Sequence, residues 1–235
     1  MRYKCLIFDV DGTLLNFSSA YLCAQQAVAK ALGIEFSREF IQTDEKLSWE
    51  LWDEFGLSRV EDEAVQANYH ILYDAYLRKH FASIAQAFGV KPETDAALGA
   101  YYSELSSSHE TMEADTLEVY RQLCGQYILA IATNGLGRVQ HSRLADFLPM
   151  TAALFVSEEI GCIKPSGTFF ERITDVLGCA PHECLMVGDS LSSDIAGAKN
   201  AGMAACWYDR KSKGERSQAA ADYRISRLRE LLKIL

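Results

Sequence analysis

Side chains that can do chemistry follow successive apolar runs of the sequence. Asp9 and Asp11 come after the first run, Thr133 after the second, Lys164 beyond the third and Asp189 after the fourth. In open α/β sheets, ligands bind beyond the carboxyl ends of the strands. If the runs are strands of one parallel sheet, these side chains are expected to meet in one crevice.

The aspartates predict a nucleophile and a metal site. A carboxylate held rigidly at the end of a buried strand, as expected for Asp9, can act as a nucleophile and as a metal ligand. Asp11, two residues further on, can serve as a general acid/base. Asp9 and Asp189 together suit Mg²⁺, which is bound by a few carboxylates plus waters and substrate oxygens. Asp194 would hold a metal-bound water or orient Lys164.

The segments after the second and third runs suit an anion. Thr133 offers a hydroxyl group to a phosphoryl oxygen. The backbone N–H groups of Asn134 and Gly135, expected to open into a helix, can bind the same anion. Lys164 supplies a positive charge that offsets the charge on a phosphoryl group and on Asp9. Together these residues predict a phosphate-binding site.

Three further residues, Gly12, Thr13 and Ser190, are expected to support the site. Gly12 permits a tight turn after Asp11, and the hydroxyl group of Thr13 can hydrogen-bond back to orient that loop. Ser190, the third of these residues, directly follows Asp189. Each motif alone is weak evidence for a functional site, because Asp-Gly and Asn-Gly pairs are also common in turns. The specific feature is the order of all the motifs after buried strands.

Short apolar runs alternate with helical patterns in the C-terminal part of the chain. The runs predict strands buried on both faces of a parallel sheet, at residues 4–8, 127–132, 153–156, 184–187 and 204–208. The helical patterns lie between them, at residues 114–123, 138–146, 167–177 and 193–201. This alternation predicts an α/β fold with right-handed crossovers.

Residues 16–106 carry a different pattern. Apolar residues recur at helical spacing over residues 21–32, 47–55 and 69–88, and no strand pattern interrupts them. We therefore expect an all-helical insertion directly after the first strand, with Ser106–Ser108 as the return linker. The α/β core would then consist of residues 1–15 and 107–235.

Composition narrows the possible partners and compartment. The chain has 235 residues and a formal net charge of −9, which argues against binding to nucleic-acid polymers or anionic membranes. A local site can still bind a small phosphorylated molecule. Seven scattered cysteines, the lack of a signal-peptide pattern and the lack of a long apolar segment predict a reduced, cytoplasmic protein. The charged run at residues 211–216 is expected to be solvated surface.

The motifs, in this order, resemble those of the haloacid dehalogenase superfamily of aspartate-nucleophile phosphotransferases. The resemblance covers the whole chain and implies a Rossmann-like parallel sheet with an inserted helical cap domain. It implies that Asp9 becomes a phospho-aspartate and that Asp11 is the acid/base. Mg²⁺ would be held by Asp9, by Asp189 and by the backbone carbonyl group of Asp11. Thr133 and Lys164 match the phosphate-holding residues.

The second carboxylate, Asp11, favours phosphatases and phosphomutases within this superfamily, because its dehalogenases lack a carboxylate at this position. Two carboxylates as close in sequence as Asp9 and Asp11 are expected to repel each other, which would raise one pKa. Segments 12–17, 133–140 and 156–165 are similar to the pyrimidine 5′-nucleotidase branch, which removes phosphate from pyrimidine nucleoside monophosphates.

Residues outside the motifs are candidates for contacts with the substrate. Asn16 and Phe17 follow the first motif, and Phe17 would either stack on a base or pack at the hinge of the cap. Arg78, Lys79 and His80 lie in a predicted helix of the insertion. A solvated helix face is the preferred interpretation for these three residues.

The resemblance implies a Mg²⁺-dependent phosphomonoesterase for a small phosphorylated metabolite, with a nucleotide as the leading hypothesis. The protein is expected to be a monomer or a small homo-oligomer. Three alternatives stay open: a phosphatase for phosphoglycolate or a sugar phosphate, a phosphomutase, and a non-catalytic binding or regulatory protein on the same scaffold.

Overall fold

Six parallel strands form one sheet in the computed structural model, which describes residues 2–210 and 221–235. In chain order they are β1 (Cys5–Phe8), β2 (Ile128–Thr133), β3 (Ala153–Val156), β4 (Cys184–Gly188), β5 (Ala204–Tyr208) and β6 (Tyr223–Ile225). Across the sheet the order is β3-β2-β1-β4-β5-β6. This is the strand order of a Rossmann-like fold, in which ligands bind where the order reverses, beside β1. The predicted α/β fold is confirmed.

The chain divides into two compact units. The α/β unit comprises Met1–Phe17 and His109–Leu235, and the helical unit comprises Ser18–Ser108. Four helices lie between residues 17 and 106: α1 (Phe17–Ala31), α2 (Arg38–Glu54), α3 (Glu63–Ala87) and α4 (Thr94–Ser106). The predicted return linker is therefore shorter than expected, because Ser106 is the last residue of α4.

The α/β unit adds short helices around the sheet. They are α5 (Thr116–Leu123), α6 (Gly137–Arg143), α7 (Ser157–Ile160), α8 (Gly167–Leu177), α9 (Gly197–Asn200) and α10 (Leu231–Ile234). The helix predicted at residues 193–201 is instead a π-helix, Leu191–Ala196, followed by α9. Single turns of this kind often occur at functional sites. The charged run at residues 211–216 lies outside the described residues.

The strand side chains alternate between two apolar layers, one on each face of the sheet. Phe8 belongs to a buried cluster that includes Tyr120 of α5. Ile7 belongs to a second cluster, which includes Phe170 of α8. All four residues of β1 are fully buried. Because both faces of this strand are covered, a polar side chain can reach a ligand only at its end.

The helical unit contains a buried polar group that corrects one expectation. His80 was expected on a solvated helix face, but its side chain is fully buried and its Nε2 lies 3.1 Å from Oδ1 of Asp44. Arg78 and Lys79 are exposed, and Arg78 pairs with Asp95. The hydrophobic periodicity did not predict the burial of His80, because the residue type alone does not distinguish a buried polar side chain of a helix from an exposed one.

No helix within residues 2–210 and 221–235 is long and apolar enough to cross a membrane.

Candidate active site

Lys164 lies at the centre of the site and uses all three of its donors. Its Nζ donates to Oδ1 of Asp9 at 2.8 Å, to Oδ1 of Asp194 at 2.7 Å and to the carbonyl oxygen of Ala132 at 2.8 Å. Burial alone would lower the pKa of Lys164, but the carboxylates of Asp194 and Asp9 outweigh it and raise the pKa. The lysine is therefore a fixed positive charge that joins the ends of β1 and β2 to the π-helix.

Asp9 follows β1 directly and is buried. Its backbone N–H donates to the carbonyl oxygen of Val187 at 2.9 Å, which continues the strand pairing by one residue and fixes the main chain at this point. Burial raises the pKa of Asp9 to about 8, with Asp194 and Asp189 adding to the rise and Lys164 opposing it. The positive charge of Lys164 therefore does not fully compensate a negative charge on Asp9.

The donor set around Asp9 fits a divalent cation. One oxygen from each of Asp9, Asp189 and Asp194 lies within 4.8 Å of the other two. Mg²⁺ prefers such hard oxygen ligands. Gly12 has a φ of +92°, and a Cβ on it would lie 2.4 Å from Oδ2 of Asp189, so only glycine lets this loop approach the carboxylate. The residues present are therefore compatible with the predicted magnesium site.

Asp194 has a different role from the other two carboxylates. Its Oδ1 accepts from Lys164, and its Oδ2 accepts from the backbone N–H of Ser190 at 3.0 Å. A Cβ on Gly188 would lie 2.2 Å from Oδ2 of Asp194, so the glycine leaves room for the carboxylate beneath the end of β4. Of the two roles considered for Asp194, this geometry favours orientation of Lys164.

The loop after β2 differs from the sequence-based expectation. Helix α6 begins at Gly137, whose backbone N–H donates to Oε2 of Glu158 at 2.7 Å. Asn134 therefore does not open directly into a helix. Its side chain instead donates to the carbonyl oxygen of Lys164 at 2.8 Å and accepts from the N–H of Lys164 at 2.7 Å. This pair of hydrogen bonds ties the Thr133 loop to the segment that carries the lysine.

Asp11 has two partners that the sequence did not reveal, both on α6. Nη1 of Arg143 lies 2.5 Å from Oδ1 of Asp11, and Nε2 of Gln140 donates to Oδ2 at 2.8 Å. The expected repulsion between Asp9 and Asp11 is not the main feature, because Asp194 and Asp189 are the carboxylates that raise the pKa of Asp9. The i, i+3 spacing of Gln140 and Arg143 places them on one face of the predicted helix, but it does not show that this face packs against Asp11.

Thr13, Ser190 and Asn16 were also predicted for the site. Thr13 is fully buried, and its hydroxyl group has no hydrogen-bond partner among the described residues, so the expected hydrogen bond to its loop is not formed. The hydroxyl oxygen of Ser190 accepts from the N–H of Ser193 at 3.1 Å. Nδ2 of Asn16 donates to Oε1 of Glu110 at 3.0 Å.

The chain belongs to the haloacid dehalogenase-like hydrolases, whose family model matches residues 3–202. The family resemblance inferred from the motifs is thereby confirmed, and the protein is an enzyme of this family. It is 28% identical to the pyrimidine 5′-nucleotidase PynA of Streptococcus pneumoniae, with 100% of this chain and 96% of the relative covered. It is also 36% identical to a phosphoserine phosphatase of Thermus thermophilus, with 97% of each covered.

A solved structure extends the comparison to the fold. The magnesium-bound HAD-hydrolase YfnB of Bacillus subtilis superimposes with a TM-score of 0.84 at 27% identity, over 100% of this chain and 99% of that chain. The magnesium ion is a property of that protein's structure. For this chain, the match supports the fold of the α/β unit and the fold of the helical unit.

Proposed function

We propose that the protein is a Mg²⁺-dependent phosphomonoesterase that uses Asp9 as its nucleophile and acts on pyrimidine nucleoside 5′-monophosphates. The observation that carries this proposal is the buried carboxylate of Asp9, held by Lys164 and lying close to Asp189. A nucleophile, a fixed positive charge and a set of cation ligands thus occur at one strand end. This combination suits phosphoryl transfer, in which catalysis is mainly positioning and charge stabilisation.

In the first half-reaction, a carboxylate oxygen of Asp9 attacks phosphorus in line with the 5′-oxygen. The bond from phosphorus to the 5′-oxygen breaks, and Asp11 gives its proton to that oxygen, which leaves as the nucleoside hydroxyl. Lys164 offsets the negative charge of the phosphoryl group, and the hydroxyl group of Thr133 binds one of its oxygens. The product on the enzyme is an aspartyl phosphate.

In the second half-reaction, Asp11 takes a proton from a water molecule, whose oxygen attacks the same phosphorus. The bond between phosphorus and Asp9 breaks, which releases inorganic phosphate and restores the carboxylate. The side chains of Asp9 and Asp189 and the backbone carbonyl group of Asp11 would hold Mg²⁺. When bound, the ion supplies positive charge to the phosphoryl oxygens. We further propose that the helical unit acts as a cap that excludes bulk water.

Mg²⁺ is expected to raise the melting temperature of the protein through the carboxylate cluster. An ion that binds only the folded state stabilises it by about 2.7 kcal/mol at a hundredfold excess over Kd. Thermal unfolding in EDTA and then in Mg²⁺ should show this rise for the wild type, and Asp189→Asn should lose most of it. Asp175→Asn, which changes an exposed carboxylate of α8, should keep the full rise. An equal rise in all three proteins would contradict the proposed metal site.

The nucleotide assignment rests on segments 12–17, 133–140 and 156–165 and on the full-length similarity to a pyrimidine 5′-nucleotidase. Phe17, which is 36% exposed at the start of α1, is the residue we propose to stack on the base. The similarity to a phosphoserine phosphatase supports the alternative of a non-nucleotide ester.

A phosphate-release screen distinguishes these substrates. Wild-type protein with Mg²⁺ should hydrolyse UMP, dUMP and dTMP with a kcat/KM at least about tenfold above that for phosphoserine, phosphoglycolate or sugar phosphates, a difference of about 1.4 kcal/mol. Phe17→Ala should raise KM for the pyrimidine nucleotides and leave the other esters unchanged. Preference for a non-nucleotide ester would overturn the assignment, and transfer of phosphate to a second sugar hydroxyl would indicate a phosphomutase.

A further inference from the structure

Asp11, the proposed acid/base, forms an ion pair with a buried arginine, Arg143. The side chain of Arg143 is 1% exposed and that of Asp11 is 30% exposed, so the guanidinium group lies on the protein side of the carboxylate. A buried guanidinium group is costly unless it is paired. The contact therefore differs from an exposed ion pair, in which two mobile side chains contribute little.

Gln140 makes the second contact and links Asp11 to the phosphate-binding loop. Its Nε2 donates to Oδ2 of Asp11 at 2.8 Å and to Oγ1 of Thr133 at 3.0 Å. Its Oε1 accepts from Nη1 of Arg143 at 3.3 Å. A Cβ on Gly135 would lie 2.6 Å from this Nε2, so the glycine lets the loop lie directly over the amide. Gln140 thus has little freedom to move.

The two contacts leave Asp11 able to react. A carboxylate has about four lone-pair directions, two on each oxygen. Arg143 and Gln140 each use one direction on a different oxygen, which leaves one on each oxygen for a proton or a reacting hydroxyl group. The same contacts restrict the rotation of the side chain. The carboxylate is therefore fixed in orientation while part of it remains accessible to solvent.

We propose that Gln140 and Arg143 are positioning residues for Asp11, which hold its carboxylate in register with Thr133 so that it faces the leaving oxygen. This inference rests on the proposed function. A misoriented acid should matter most for substrates whose leaving oxygen needs a proton. An alkoxide leaving group, as in UMP, needs one. A nitrophenolate, as in p-nitrophenyl phosphate, is stable as an anion and leaves without one.

The test compares kcat/KM for UMP and for p-nitrophenyl phosphate in Arg143→Met and Gln140→Met, which keep side-chain length and lose the donors. General acid catalysis is worth about 10²–10⁴-fold. We therefore expect a loss of about 30-fold or more for UMP and of less than about threefold for the nitrophenyl ester. Arg143→Lys should recover part of the UMP activity. Arg172→Met, which removes an exposed arginine of α8, is the matched control and should change neither value.

Thermal unfolding identifies any variant that has simply lost its fold, and Gln140→Met keeps the test valid if Arg143→Met is unstable. Equal losses on both esters in a folded variant would show a general structural role and overturn the inference. Unchanged kinetics in both variants would overturn it as well. A wild-type protein that hydrolyses neither ester with Mg²⁺ would overturn the proposed function, and this inference with it.

Discussion

Asp9→Asn is expected to remove turnover while leaving the fold intact. The amide has the shape of the carboxylate but cannot form an aspartyl phosphate. Residual activity should be below about 1%, and even this hundredfold loss corresponds to only about 2.7 kcal/mol of transition-state stabilisation. Steady-state phosphate release with Mg²⁺, on a substrate that the wild type hydrolyses, measures this loss.

Stability separates a chemical role of Asp9 from a structural one. Because the pKa of Asp9 is raised to about 8 in the folded protein, its ionised form destabilises the fold at neutral pH relative to an uncharged side chain. The melting temperature of metal-free Asp9→Asn should therefore not fall below that of the wild type. Asp175→Asn should keep full activity. Asp9→Asn with more than about 1% of wild-type activity would exclude Asp9 as the nucleophile.

Lys164→Met is expected to lose both activity and stability. Lys164 is 1% exposed and donates to two buried carboxylates, those of Asp9 and Asp194. Removing one partner of a buried ion pair costs about 3–5 kcal/mol, because the remaining charge has no compensation. Without the lysine, the phosphoryl group also loses its fixed positive charge. We expect an activity loss of about 10²–10³-fold, comparable with that for other groups that stabilise transition-state charge.

The stability loss can be measured by urea denaturation in EDTA. Lys199→Met is the matched control, because Lys199 pairs with Asp222 at 2.8 Å and both side chains are about one-third exposed. Partly exposed pairs of this kind contribute about 0–1 kcal/mol. If Lys164→Met and Lys199→Met lose the same small amount of stability, Lys164 does not have the electrostatic role inferred from its three hydrogen bonds.

Most strands could be predicted from their apolar composition, because both faces of a parallel sheet are covered by apolar layers. The runs at Ala153–Val156 and Ala204–Tyr208 have the predicted bounds. β6 was not predicted, because Tyr223–Ile225 has only three residues and Arg224 in its centre. The π-helix at Leu191–Ala196 was predicted as part of an ordinary helix, since both conformations place residues on similar faces and periodicity does not distinguish them.

The sequence predicted those site residues that the chemistry requires to be of a particular type and near the end of a strand. Asp9, Lys164 and Asp194 were expected to interact, and the structure brings them into hydrogen-bond contact. The partners of Asp11 were not predictable, because a buried arginine or glutamine on a helix looks in sequence like a solvated one. Only the packing of α6 beneath the Thr133 loop places Gln140 and Arg143 beside a residue far away in the chain.

In the proposed reaction, phosphate passes through a covalent intermediate on Asp9. The direct measurement is acid quenching within a single turnover of a radiolabelled nucleoside monophosphate with Mg²⁺, followed by mapping of the label on the chain. Label on Asp9 is expected to form before inorganic phosphate appears and then to decline as phosphate accumulates. Release of labelled phosphate with no labelled protein, or label on a residue other than Asp9, would contradict it.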